Sequence, residues 1–230
     1  MLLFNLSDFS REMIIPFILA FLIMTAISMS VHEYMHARVA YMFGDDTAKL
    51  SGRLTINPLA HINPLGLVSF LILGYGWATP VPVNPMRFKQ GKYRLGMFFV
   101  SIAGVLANIL MAFIFSAIYL LVIQNEKFYY GLMEDNQLSL FIFYALQIGI
   151  SMNLSLFFFN LIPIPPLDGF NMINTLASKD NKFLNFVKTY GFEIFLGYIL
   201  ISNIFDLNIL GFLVDFVETR FITFWGSVFL

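Results

Sequence analysis

The chain has no cysteine among its 230 residues. That excludes disulfide staples and thiolate metal sites, while leaving the redox compartment open. Charge is scarce as well: Asp, Glu, Lys and Arg make up 12% of the residues, against about 25% in soluble domains. Apolar residues account for 59% and the mean hydropathy is +0.79. A soluble fold is excluded by that balance. The net charge of −1 offers no basic excess to attract nucleic acid. Histidine is limited to three residues, His32, His36 and His61, so imidazole chemistry is confined to one short stretch.

What the chain does have is a series of membrane-length apolar runs. Met13 to Ser30 is uncharged for 18 residues, and at 1.5 Å per residue that is roughly the core of a bilayer. Its leader holds Asp8, Arg11 and Glu12 and no small-residue cleavage site follows, so it reads as a retained helix rather than a removed signal. The helical pattern continues to Phe43 and stops at Gly44, which suits a C-terminal cap. A polar stretch follows with a repeated turn signal, Ile56-Asn57-Pro58-Leu59 and Ile62-Asn63-Pro64-Leu65. Gly66 to Ala78 is apolar but short and glycine-rich, and Val81-Pro82-Val83 suits an edge strand or extended segment.

Leu95 to Asn125 and Asn136 to Leu167 are two further uncharged runs, the second breaking at Pro163-Ile164-Pro165-Pro166. Beyond them Asp206, Asp215, Glu218 and Arg220 interrupt the apolar pattern, which leaves one long span or two short ones. The expected fold is an all-α polytopic membrane protein with five or six transmembrane helices. A re-entrant or short extended segment lies between the first two core helices. The whole of 1–230 is expected to form one membrane-embedded domain, with a core over 13–180 and C-terminal helices over 183–230, leaving no room for an appended globular domain.

Basic residues set the orientation. Arg87, Lys89, Lys92 and Arg94, then Lys179, Lys182 and Lys188, are placed in the cytoplasm by the positive-inside rule, and Glu126 to Gln137 outside. Asp168 then lies on the cytoplasmic side. If it shares a metal with His32 and His36, the first helix ends there too, in agreement with Lys49 and Arg53.

His32-Glu33-Tyr34-Met35-His36 follows directly on the first apolar run. HExxH on a helix puts two imidazoles one turn apart with a carboxylate beside them, as zinc hydrolysis requires. Ionisable groups at the centre of a span cost on the order of 2–3 kcal/mol each, which argues for function over accident. A catalytic zinc takes three protein ligands and keeps one position open. Asp168, in Pro166-Leu167-Asp168-Gly169, is the one acidic residue between Asp135 and Asp180, and Gly169 is expected to permit an unusual backbone just after it.

HEYMH at the end of one apolar helix and NLIPIPPLDG at the end of a later one resemble the site-2 protease family of intramembrane zinc metalloproteases. Asn160, Pro163, Pro166, Asp168 and Gly169 fill each fixed place of that family's NxxPxxPxDG pattern. Gly52 to Gly66 and Pro80 to Pro85 resemble its compact bacterial branch, without the PDZ or CBS domain that other members carry. The resemblance covers about residues 13 to 180. It implies one Zn2+ ion held by His32, His36 and Asp168, with Glu33 activating the zinc-bound water. It also implies hydrolysis of peptide bonds in or near transmembrane segments of other membrane proteins. The expected location is the cell membrane, with the site toward the cytoplasmic side that the basic residues set. Asn160 is then a substrate-backbone contact or an oxyanion donor, with helix–helix hydrogen bonding as the alternative.

His61 stays open between a substrate-contact or second-layer role and a structural turn. Asn108, in Gly104-Val-Leu-Ala-Asn108, is read as helix packing. An unwound substrate would pair with the Val81–Val83 segment, or with the re-entrant segment, by strand addition. Competing readings are a metal-ion transporter using the same His/Asp site, a silent substrate-binding protein, and a different HExxH protease with Glu193 or Glu218 as third ligand.

Overall fold

The computed structural model describes residues 10–63, 65, 66, 69, 79–89, 91–177, 181–205 and 207–229. Its first helix, α1, runs over Arg11–Met42 and contains Pro16. Proline has no N–H, so the Glu12 carbonyl one turn earlier loses its helical donor. Gln137 Nε2 donates to that oxygen at 3.0 Å, joining the start of α1 to the start of a later helix. The C-terminus of α1 closes as expected. Gly44 takes φ +107°, the Asp45 N–H donates to Ala40 C=O and the Gly44 N–H to Tyr41 C=O, both at 3.0 Å. This wraps the last orphan carbonyls in a left-handed cap.

After the short helix α2 (Thr47–Leu50), the two Asn-Pro repeats behave as turn starters. Asn57 caps a 3-10 turn over Pro58–Ala60, and Asn63 Oδ1 accepts from the Leu65 and Gly66 N–H groups. The expected re-entrant element, Gly66–Ala78, lies outside the described residues apart from Gly66 and Ser69. Residues 79–84 are irregular chain, and no strand occurs among the described residues. An edge strand at Val81–Val83 is therefore not formed in this state. Asp45, fully buried, fastens the segment to the end of α1: its carboxylate accepts from the Thr47 N–H and, at 2.6 Å, from the Asn84 N–H.

The remaining helices are α3 (Tyr93–Ile123), α4 (Glu126–Met133), α5 (Gln137–Leu161), α6 (Asp168–Leu176), α7 (Lys182–Ile204) and α8 (Ile209–Phe229). Among the described residues, four helices are long and apolar enough to cross a membrane: α1, α3, α5 and most of α7. α8 has 21 residues but carries Asp215, Glu218 and Arg220. The protein is thus an all-helical, multi-pass membrane fold.

α1, α3 and α5 pack against one another as the central bundle, with α6 on α3 and α8 against α3 and α5. The faces of α3 show why. Leu106, Leu110, Ile114 and Ile118 recur every fourth residue and are exposed, as lipid-facing positions would be. Gly104, Asn108, Ala112 and Ser116 recur at the same interval and are buried, so small side chains let the neighbouring backbones approach. Ala112, Ile150, Leu154 and Val214 close the core where α3, α5 and α8 meet.

Candidate metal centre

His32 and His36 are one turn apart on α1 and both face the bundle interior. Their rings are nearly perpendicular, at 87°, and their Nε2 atoms lie 2.9 Å apart. Asp168 is the first residue of α6, brought there because α5 ends at Leu161 and the proline-rich turn redirects the chain. Its Oδ2 lies 3.2 Å from each Nε2. These three form the group of candidate metal ligands found among the described residues.

Gly169 makes this placement feasible, for a different reason than expected. Its backbone is helical, and the positive-φ glycines among the described residues are Gly44, Gly52 and Gly91. What it supplies is the absence of a side chain: a Cβ would lie 2.2 Å from the Leu161 carbonyl oxygen. Gly104 does the same on α3, where a Cβ would come 2.6 Å from His36 Nε2 and 2.7 Å from His32 Nδ1.

The hydrogen bonds behind the imidazoles decide what the site presents. His36 Nδ1 lies 2.6 Å from the Val100 carbonyl, which only accepts, so this nitrogen donates. His32 Nδ1 lies 2.6 Å from Asn108 Oδ1 and donates likewise. With hydrogens on both Nδ1 atoms, neutral rings turn two Nε2 lone pairs toward each other and toward the carboxylate. Asp168 Oδ2 is buried and accepts no hydrogen bond. Three lone pairs at one point repel unless a cation is shared among them. Two imidazole nitrogens and one carboxylate fit a divalent ion such as zinc.

The group opens into a cavity of about 420 Å³, also lined by Glu33, Val81, Phe159 and Asn160. Glu33 Oε2 accepts from the Val81 N–H at 2.8 Å, so the segment 79–84 lies along the site. Asn160 Nδ2 donates to Leu156 C=O of its own helix at 3.0 Å. His61 does not line this cavity. It is buried in the loop, its Nε2 bonded to Thr55 C=O at 2.8 Å and its own carbonyl accepting from the Thr79 N–H. Glu218 takes a hydrogen bond from Ser151 on α5 and stands apart from the group.

Three residues behind the imidazoles were not assigned to the site from sequence: Val100, which acts through its backbone, Asn108 and Asn153. Asn108 showed only a packing spacing, and Asn153 only as an uncharged polar residue in an apolar run.

A multi-pass helical bundle that brings a His-His-Asp group and a glutamate to one cavity belongs to the class of membrane metallohydrolases. Residues 20–201 match Peptidase family M50, the site-2 protease family, and the chain belongs to it as a metallopeptidase. Over 181 residues it is 43% identical to the candidate zinc metalloprotease YwhC of Bacillus subtilis (strain 168), covering 78% of this chain and 80% of that one. Over 176 residues it is 28% identical to the candidate zinc metalloprotease Rip2 of Mycolicibacterium smegmatis (strain ATCC 700084 / mc(2)155), covering 73% of this chain and 61% of the relative. No solved structure matches the chain significantly.

Proposed function

We propose that this protein is an intramembrane zinc endopeptidase that cuts peptide bonds in or near transmembrane segments of other membrane proteins. The observation that carries the reading is the convergence of His32 Nε2, His36 Nε2 and Asp168 Oδ2 in a cavity that Glu33 also lines. His32, His36 and Asp168 would hold one zinc ion, a three-ligand set that leaves one position open. When bound, zinc polarises the scissile carbonyl and lowers the pKa of a coordinated water to about 7.

The chain's own residues do the rest. Glu33 takes the proton from the attacking water and delivers it to the departing amine nitrogen, as a general base and then a general acid. Its Oε2 is shared with the Val81 N–H, which orients the carboxylate. Asn160 has two amide donors and commits one to Leu156 C=O, so the other serves an extended substrate backbone or the developing oxyanion. Met29, Leu156 and Phe159 line the same cavity and limit the water that reaches it. We assign His61 to holding the loop together rather than to substrate.

The site is proposed to lie at the cytoplasmic edge of the cell membrane. Arg87 pairs with Asp46 just past the end of α1, and Arg94 donates to Ala177 C=O just past the end of α6. Lys49, on α2, lines the same surface pocket as Asp46 and Arg87. The basic residues thus gather at the end of the bundle where α1 presents its histidines, as the positive-inside rule requires of a cytoplasmic face. Neither the family nor either relative is named as a transporter.

Metal content tests the ligand set. Purified protein is expected to carry one zinc per chain, and His36→Ala or Asp168→Ala to carry none while keeping helical content. Full zinc occupancy in either variant would refute the assignment.

A further inference from the structure

The hydrogen bonds behind His32 continue through three helices. Asn153 Nδ2, on α5, donates to the Gly149 carbonyl at 2.7 Å and to Ser28 Oγ at 2.8 Å. A peptide carbonyl accepts and never donates, so the Asn153 amide is held with its nitrogen toward Gly149. Its Oδ1 is thereby turned to Asn108, whose Nδ2 donates to it at 2.8 Å. The same Nδ2 lies 3.4 Å from the Ser28 carbonyl, a second acceptor that keeps it in this orientation. Asn108 Oδ1 is left facing His32 Nδ1 at 2.6 Å. Asn108, Asn153 and Ser28 are fully buried and His32 nearly so, so water does not compete for these groups.

We infer that Asn153 and Asn108 are positioning residues for His32: together they hold the proton on Nδ1 and leave the Nε2 lone pair pointing into the metal position. The second half of that statement rests on the zinc reading above, and the first does not. Free histidine in water favours its proton on Nε2, the form that could not bind metal through that atom. Asn108 reverses the preference by offering an acceptor at the other nitrogen. Asn153 fixes which end of the Asn108 amide is offered, because a flipped Asn108 would present donors to His32 and favour the wrong tautomer. The Gly149 carbonyl sets the direction of the whole chain. Polar side chains that only hold apolar helices together have no need of such a direction. Hydrogen-bond partners behind metal-binding histidines typically change metal affinity by about 10–100-fold when removed.

The test uses the full chain in detergent, metal-free, with 15N-labelled histidine, at alkaline pH where imidazoles are neutral. With three histidines, single substitutions assign the signals. Wild type is expected to show His32 protonated at Nδ1. Asn108→Leu is expected to move that proton to Nε2 and weaken zinc binding by about 10–100-fold. Asn108→Asp, which keeps an acceptor, should restore the Nδ1 proton. Asn153→Leu is expected to blur the preference and weaken zinc binding, where a packing role would lower only thermal stability. Wild-type His32 protonated at Nε2, or folded Leu variants that match wild type in both readouts, would overturn the inference. If the Leu variants do not fold, the wild-type spectrum alone decides. A protein with the expected spectrum but no zinc affinity would refute the zinc reading and leave the positioning intact.

Discussion

The backbone N–H of Val81 donates to Glu33 Oε2 at 2.8 Å, so a residue 48 positions along the chain lies directly on the candidate base. The contact spends the donor that strand addition at Val81 would use. A substrate pairing there must either displace it or enter beside it. Val81→Pro removes the N–H and leaves the zinc ligands untouched. A hydrogen bond to a charged group is worth about 1.5–3 kcal/mol, so cleavage is expected to fall on the order of tenfold to a hundredfold. Zinc content should not change. Peptide-cleavage rates alongside metal analysis check this, and unchanged cleavage would rule out both the orienting contact and a substrate role for the segment.

Gly104 is where α3 touches the imidazoles, with no room for a Cβ. Both rings are tied down behind by hydrogen bonds, so they cannot yield freely. Gly104→Ala is expected to lower zinc affinity by at least about tenfold, comparable to losing a partner behind a ligand. Circular dichroism should show the helices retained. Zinc titration checks it; wild-type affinity would mean the rings move aside at little cost.

Gly169→Ala should act through stability as well. The atom its Cβ would meet is the Leu161 carbonyl oxygen, which is backbone and has no rotamer to change. Overpacking typically costs about 1–3 kcal/mol, and here the strain falls next to Asp168. A lower melting temperature in detergent and a weaker zinc site are expected together. A melting temperature and zinc affinity equal to wild type would contradict the close approach.

Much of this was legible before any coordinates. HEYMH and NLIPIPPLDG carry their chemistry in residue type and spacing, and charge at the end of an apolar run is costly enough to stand out. Gly44 and the Asn-Pro turns were equally readable, because a positive φ and an Asn cap are local properties. Asn108 is read as packing and is buried on α3 as that predicts, but a packing residue and a histidine partner show the same spacing along a helix. Only the tertiary contact with His32 separates them. Gly169 was valued for backbone freedom, whereas its use lies in an approach to Leu161 that only the folded turn creates. Val81 meets Glu33 through its backbone, which leaves no trace in a sequence.

Asp45 offers a way to loosen the 79–84 segment without touching the metal. It is fully buried and its carboxylate holds the Asn84 N–H. Asp45→Ala leaves that donor without its partner, at a cost of about 1–3 kcal/mol. Reduced cleavage, increased proteolysis around residues 79–84 and full zinc content are expected. Loss of zinc would show that the segment supports the ligands directly.

Glu33→Gln provides the most direct test of the whole account, measured for zinc content and peptide cleavage on the same purified sample. Glutamine keeps an oxygen for the Val81 N–H and leaves His32, His36 and Asp168 in place. The account predicts one zinc per chain and cleavage reduced by about 10²–10⁴-fold. Cleavage at the wild-type rate with zinc bound would contradict it.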